Sequence, residues 1–255
     1  MPDRVRPVLD EVAALATAFE AAGHRLYLVG GIVRDLFGEA DLGALDLDLT
    51  TDAHPDVIKT LVTPLASTVW TQGERFGTIG ARVAGRDVEI TTHRSEAYVP
   101  DDRHPEVVFG DSVDVDLSRR DFTINAMALE VTGGSPTLID PHGGLADLAS
   151  GRLRTPLDAH ASFSDDPLRM MRAARFIARF GLTPDPSLTQ AVLEMNGRLE
   201  IVSVERIRDE LDKLLLVDDP SPGLWFLVDT GLAEHFLPEL PAMRVEQDPV
   251  HRHKD

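Results

Sequence analysis

At 255 residues the chain has room for one large or two modest domains, and 43% hydrophobic content is ordinary for a globular protein. With no cysteine it forms neither disulfides nor thiolate metal sites, so any metal must be held by carboxylates, histidines or backbone, which points to hard ions such as Mg²⁺. The net charge of −18 runs against the basic balance of most nucleic-acid binders, and no stretch approaches the roughly 18 apolar residues of a membrane span. A cytoplasmic protein with local rather than global anion contacts is expected; only three of its 25 cations are lysines, so those contacts fall to arginine, unless a GC-rich genome alone explains the bias.

Residues 5–22 place apolar side chains at helical spacing, an amphipathic helix rather than a signal peptide. "RLYLVGG" reads as a short apolar strand ending in two glycines, and "IVRDLFG" as a helix stopped by Gly38. "ALDLDLTT" alternates as a strand, "HPDVIKTLVTPL" is helical, and "FGTIGARVAGRDVEITTHR" has the shape of two strands around a turn. The breaker-rich "YVPDDRHPEVVFGDSVDVDLSRRD" predicts a long loop, and "SRRDFTINAMAL" an apolar helix-like run with charges in its first turn. From about Ser162 to Leu216 two helical patterns dominate, "DPLRMMRAARFIARFG" and "SVERIRDELDKLL". The tail "QDPVHRHKD" has no closing element, so a truncated chain or an early ordered limit is expected.

In "LDLDLTT", Asp46 and Asp48 fall on one side of a strand and Leu45, Leu47 and Leu49 on the other. A sheet with one wet face would look the same. Here, however, Gly30 and Gly31 lie close by, allowing backbone N–H groups to approach an anion, and Arg34 can add a fork for a phosphate oxygen. Carboxylates for Mg²⁺ beside donors for phosphates are what phosphoryl transfer requires, with Asp46 and Asp48 as metal ligands and Glu89 as an open candidate for a third carboxylate. Arg120 is placed to meet a triphosphate and Asp121 or Asn125 a sugar hydroxyl, although a charged, capped helix start fits the same residues.

On the helix of "SDDPLRMMRAARFIARFG", Arg172, Arg175 and Arg179 share one side and Met170, Ala173, Ala174 and Ile177 the other, with Arg169 at the border. Asp166 lies one turn before Arg169. Either the face is simply solvated, or the pair reads a base: a carboxylate only accepts and a guanidinium only donates, which suits the amino group and ring nitrogen of cytosine or adenine and refuses uracil and guanine.

The motifs "LVGGIVRDLFG" with "LDLDLTT", "RRDFTINAMAL", "IDPHGGLADL", "DDPLRMMRAARF" and "SVERIRDELDKLL" occur in order over Arg25 to Leu216, with "DTGLAEHFLPEL" extending the likeness. The chain thereby resembles the class II tRNA nucleotidyltransferases, the CCA-adding enzyme family that includes bacterial poly(A) polymerases. The resemblance implies an α+β fold with a polymerase-β-like head at 1–150, an all-α neck at 151–217 and the start of a helical body at 218–255, with an RNA-binding or HD-like part beyond it. It also implies addition of C and A to the tRNA 3′ end from CTP and ATP, with Mg²⁺ on Asp46 and Asp48. Gly31, Arg34 and Arg120 would contact the nucleotide, and Asp166 and Arg169 the base, with Arg172 and Arg175 nearby.

Three departures stand out: Asp165 replaces the usual first glutamate of the reading motif, "GEADLGALDLD" lacks a basic residue many relatives carry, and most of the RNA-gripping body is expected to lie beyond Asp255. His251 and His253 are assigned no metal. The resemblance implies that the helix bearing Glu205 and Arg206 supports the pocket; the alternative is a solvated helix whose charges pair as Arg206–Glu210 and Asp209–Lys213. A poly(A) polymerase or a CC-only or A-only enzyme is the alternative within the family, with residues 98–118 expected to take part in nucleotide switching. A small-molecule nucleotidyltransferase or a non-catalytic RNA-binding module is the alternative outside it. With a charge of −18, residues 1–255 alone are expected to bind nucleotide with Mg²⁺ acceptably in a local pocket and to grip tRNA weakly.

Overall fold

The structure is a computed structural model that describes residues 4–38, 46–96, 107–110 and 112–244. Its chain divides into two units, Met1–Ser150 and Gly151–Asp255. No helix among the described residues is long and apolar enough to cross a membrane.

In the first unit α1 (Val5–Ala21) turns Val5, Val8, Val12, Leu15 and Phe19 inward at three- and four-residue spacing. β1 (Leu26–Val29) is buried on both faces: Leu26 and Leu28 enter the main core, and Tyr27 and Val29 a smaller cluster with Leu117, Ala126 and Ala128. Such a strand reads as an unbroken apolar run, which is what "LYLV" is. α2 (Gly31–Leu36) follows, β2 (Leu47–Thr51) pairs antiparallel with β1, and α3 (Pro55–Val62) starts on a proline. β3 (Ala66–Trp70), β4 (Thr78–Val83) and β5 (Arg86–Thr92) form an antiparallel meander, and β5 runs parallel to β2 with Asp48 opposite Glu89. β6 (Arg94–Glu96) and β7 (Val107–Phe109) make a separate ribbon, followed by α4 (Val113–Ser118). β8 (Ala128–Glu130) pairs with β1 and β9 (Thr137–Ile139) with β8, before α5 (Gly144–Ser150). The seven-stranded sheet has the order β3-β4-β5-β2-β1-β8-β9, a mixed sheet with helices and hence an α+β fold.

Two local expectations change. The segment expected to be one long loop carries β7 and α4 at its C-terminal end; residues 97–106 and 111 lie outside the described residues, and with them much of the proposed switching loop. "RRDFTINAMAL" is not a helix: Thr123–Asn125 form a single 3₁₀ turn and the chain then enters β8. Asp121 is the cause, since its Oδ1 accepts from Phe122 N (2.8 Å) and Asn125 Nδ2 (2.9 Å), a side-chain closure that competes with helix propagation. Gly144 at the start of α5 permits the turn's close packing, because a Cβ there would lie 2.1 Å from the Thr123 carbonyl oxygen.

The second unit is helical apart from a two-residue parallel pair, β10 (Arg152–Leu153) with β11 (Thr183–Pro184), which the all-α expectation did not include. α6 (Ala159–Asp165) packs against α8 (Pro186–Met195), while α7 (Leu168–Phe180) packs against α9 (Val204–Leu215) and α10 (Ser221–Asp229); α11 (Glu239–Ala242) closes the described part. The helix expected over "DPLRMMRAARFIARFG" is α7, which starts two residues later than that pattern, at Leu168. Pro167 pushes the residue before it out of the helical region, and Asp166 is extended at φ −142°, ψ 99°.

Asp185 caps α8, accepting from Ser187 N (2.9 Å) and Oγ (2.6 Å) and from Arg152 Nε (3.0 Å). The Ser187 hydroxyl, then Arg152, hold its carboxyl down to about 2. Asp185→Ala is expected to cost about 1–2 kcal/mol at pH 7. Because the folded pKa lies below the ordinary one, this contribution is complete above about pH 4 and fades as pH falls toward 2. Urea titrations of wild type and variant at pH 7 and pH 2.5 should show the gap closing.

Candidate active site

Strand alternation sends Leu47 and Leu49 of β2 into the main core, while Asp48, and Asp46 just before the strand, face the opposite side, where Asp48 stays open to solvent at the mouth of a pocket whose walls crowd its carboxyl. There an open pocket brings the acids Asp48, Glu89 and Asp116 together with Arg94, Arg119 and Arg120. Gly30, between β1 and α2, has φ 73° and ψ −135°, a conformation essentially reserved for glycine. A Cβ at Gly30 would meet Arg120 Nη1 at 3.2 Å and Asp48 Oδ2 at 3.8 Å, so its absence keeps open the space between this cation and this acid.

The Asp48 carboxyl is pushed up to about 6, first because surrounding protein desolvates the charged form and further by the charges of Glu89 and Asp46, with Arg120 acting in the opposite sense. An acid under this load is a ready cation ligand. Among the described residues no group of three or more potential ligands is arranged to hold a metal by itself. A pair of carboxylates nevertheless suits Mg²⁺, which commonly takes one or two protein carboxylates and completes its shell with substrate phosphates and water. The residues present therefore fit a divalent cation held by Asp46 and Asp48, with Glu89 adding charge beside Asp48.

Arg34 is used differently from the phosphate fork expected of it. Its buried guanidinium donates to Asp35 from Nε (2.7 Å) and Nη2 (2.9 Å), and to Asn125 Oδ1 from Nη1 (2.7 Å). Asn125 is bonded in turn to Asp121, and both are buried, so Arg34, Asn125 and Asp121 form one network that ties the 3₁₀ turn to the Gly30–Gly31 segment.

In the second unit, Asp166 Oδ1 accepts from Leu168 N (3.2 Å) and Oδ2 from Arg206 Nη2 (2.9 Å). Arg169, half-buried, donates from Nη1 to Ser162 Oγ (2.8 Å). The two side chains of the suspected base reader are thus held by separate partners, on α9 and α6. Arg172 lies 5.7 Å from the Phe176 ring. Arg175 is not on a solvent face with Arg172 and Arg179: it is buried, its guanidinium 4.7 Å from the Phe176 ring and its Nε bonded to Glu210 of α9. The ordinary pairing expected along α9 gives way as well, since Arg206 binds Asp166 and Glu210 binds Arg175.

Sequence reasoning missed Asp35, Arg94 and Asp116. Asp116 had a visible signal, four residues before Arg120 in "DVDLSRRD", the spacing of a helical ion pair. Arg94 had none, because its place in the pocket depends on the pairing of β6.

A mixed sheet that sets paired aspartates and an arginine around a Gly-Gly turn is an arrangement suited to nucleotidyl transfer. Residues 26–154, half of the chain, match the family model described as the poly A polymerase head domain, and residues 181–243 match the one described as a probable RNA and SrmB-binding site of polymerase A. The chain belongs to the poly A polymerase head-domain family. The CCA-adding enzyme of Lactobacillus johnsonii is 37% identical over 243 residues, 95% of this chain and 56% of that relative. The crystal structure of the Bacillus stearothermophilus CCA-adding enzyme in complex with CTP matches with a TM-score of 0.82 at 31% identity, over 93% of this chain and 57% of that one. The Thermotoga maritima CCA-adding enzyme complexed with tRNA matches with a TM-score of 0.73 at 27% identity, over 98% and 55% of the two chains. The chain thus spans little more than half the length of the relatives it matches.

Proposed function

We propose that the protein is a template-independent RNA nucleotidyltransferase that adds C and A to the 3′ end of tRNA from CTP and ATP, releasing pyrophosphate in the cytoplasm. The observation that carries this reading is the pocket in which Asp48, loaded by Glu89 and Asp46, faces Arg120 across the gap left by Gly30. The relatives named above favour tRNA over a small-molecule acceptor. Asp46 and Asp48 would hold Mg²⁺, which when bound supplies charge neutralisation on the phosphates. Arg120 and the Gly30–Gly31 backbone bind the triphosphate, and the Arg34–Asn125–Asp121 network keeps that backbone in place. The tRNA 3′ oxygen bonds to the α-phosphorus as the bond to pyrophosphate breaks.

Asp166 and Arg169 read the base, with Arg172 beside them and Arg175 in support. A carboxylate has about four lone-pair sites, so two bonds already accepted by Asp166 leave room for the amino group of cytosine or adenine.

Incorporation into tRNA lacking its 3′ CCA, with each nucleoside triphosphate alone and with CTP plus ATP, tests the reading. The expected result is addition of CC from CTP, completion to CCA with ATP, and no use of UTP or GTP. Long A tracts would replace it with poly(A) synthesis, and no incorporation by folded protein would overturn it.

A further inference from the structure

We propose that Asp116 is a positioning residue that holds the Arg120 guanidinium toward the triphosphate and keeps it off Asp48, an inference that rests on the nucleotidyl-transfer reading above. Asp116 is buried in α4, a position no part of the proposed mechanism uses. Its Oδ2 accepts from Arg120 Nη2 (3.1 Å) and its Oδ1 from the Arg94 backbone N–H (3.3 Å), so it is anchored at the start of β6 while it grips the arginine.

The other donors of Arg120 fix what this grip is for. Nη1 lies beside the space left by Gly30, and Nε is buried with no hydrogen-bond partner among the described residues. Arg120 lines the pocket, and a guanidinium whose Nη1 borders that space offers charged donors to the acceptors that phosphate oxygens are. Asp48 is the competing acceptor, since its Oδ2 and Arg120 Nη1 border the same gap, 3.8 Å and 3.2 Å from where a Gly30 Cβ would lie. Released from Asp116, the guanidinium would be drawn onto Asp48, where it would neutralise the carboxylate that a divalent cation needs. One acid thereby serves two ends: the arginine is aimed at the substrate and the aspartate is kept for the metal.

The test is a double-mutant cycle in the full chain with wild type, D116N, R120A and D116N/R120A, read by calorimetric binding of CTP with Mg²⁺ and no tRNA, where no transfer occurs. D116N is expected to weaken binding by about tenfold and to raise the half-saturating Mg²⁺ concentration, yet to add nothing on the R120A background. The KM for tRNA should stay unchanged. Wild-type binding by D116N, or an equal loss with and without Arg120, would overturn the inference. D116N is chosen over D116A because it matches aspartate in shape and its Oδ1 can still accept from the Arg94 backbone, so that a loss of binding is not a loss of fold. Wild-type protein that binds CTP but does not extend tRNA would strike the RNA-transfer reading alone, and the cycle would still judge Asp116; wild-type protein that binds no CTP would overturn both.

Discussion

Asp48→Asn is expected to lower nucleotide transfer at least about 10³-fold while making the metal-free protein more stable at neutral pH. The loss follows from the role proposed for this carboxylate: a metal contact in the transition state contributes several kcal/mol, and each 1.36 kcal/mol is a factor of ten in rate. The gain follows from the same geometry. With the folded pKa raised to about 6, the ionised carboxyl is less comfortable in the folded protein than in the unfolded chain. That penalty is absent below about pH 4, where the group is protonated in both states, grows between 4 and 6, and is complete above 6. Asparagine escapes it, so thermal midpoints measured in chelator should diverge above pH 6 in favour of the variant and coincide near pH 4. A variant that keeps its activity would remove Asp48 from the metal site; one that is inactive but less stable at every pH would show the acid to be structural.

The legible parts of the fold were those fixed by local period. "LDLDLTT" shows which side of β2 carries the acids because a strand alternates with period two, and "LYLV" reads as an apolar strand, which the structure covers on both faces. "RRDFTINAMAL" misled for a related reason: its apolar residues serve a turn and a short strand, and the deciding bonds from Asp121 belong to one side chain rather than to a pattern. The site divides the same way. Asp46, Asp48 and Gly30 could be singled out from adjacency and alternation, whereas the use of Arg34 depends on Asn125, which lies 91 positions away, and nothing near Arg34 announces it. The partners of α9 were half legible. Ile207, Glu210 and Leu214 form its buried stripe, so the position of Glu210 among apolar neighbours already conflicted with a solvated pair to Arg206.

That stripe leads to the second large effect. Glu210→Ala is expected to destabilise the protein by about 3–5 kcal/mol, because it takes from the buried Arg175 guanidinium the carboxylate that its Nε binds. The side chains of Arg175 and Glu210 are only 10% and 3% exposed, too little for water to take the place of the lost partner. Arg175→Met combined with Glu210→Leu, which removes both charges and keeps the volume, should fall within about 1–2 kcal/mol of wild type, since a buried ion pair often roughly breaks even against apolar residues of similar size. Urea denaturation of the three variants distinguishes two uses of Arg175. A pair whose value is mainly structural gives the large single loss and the small double loss, and the stable double variant should then retain CTP binding. If Glu210→Ala costs less than about 1 kcal/mol, the guanidinium is finding solvent. If the double variant is stable but binds CTP far more weakly, Arg175 acts on the nucleotide rather than through the packing of α7 on α9.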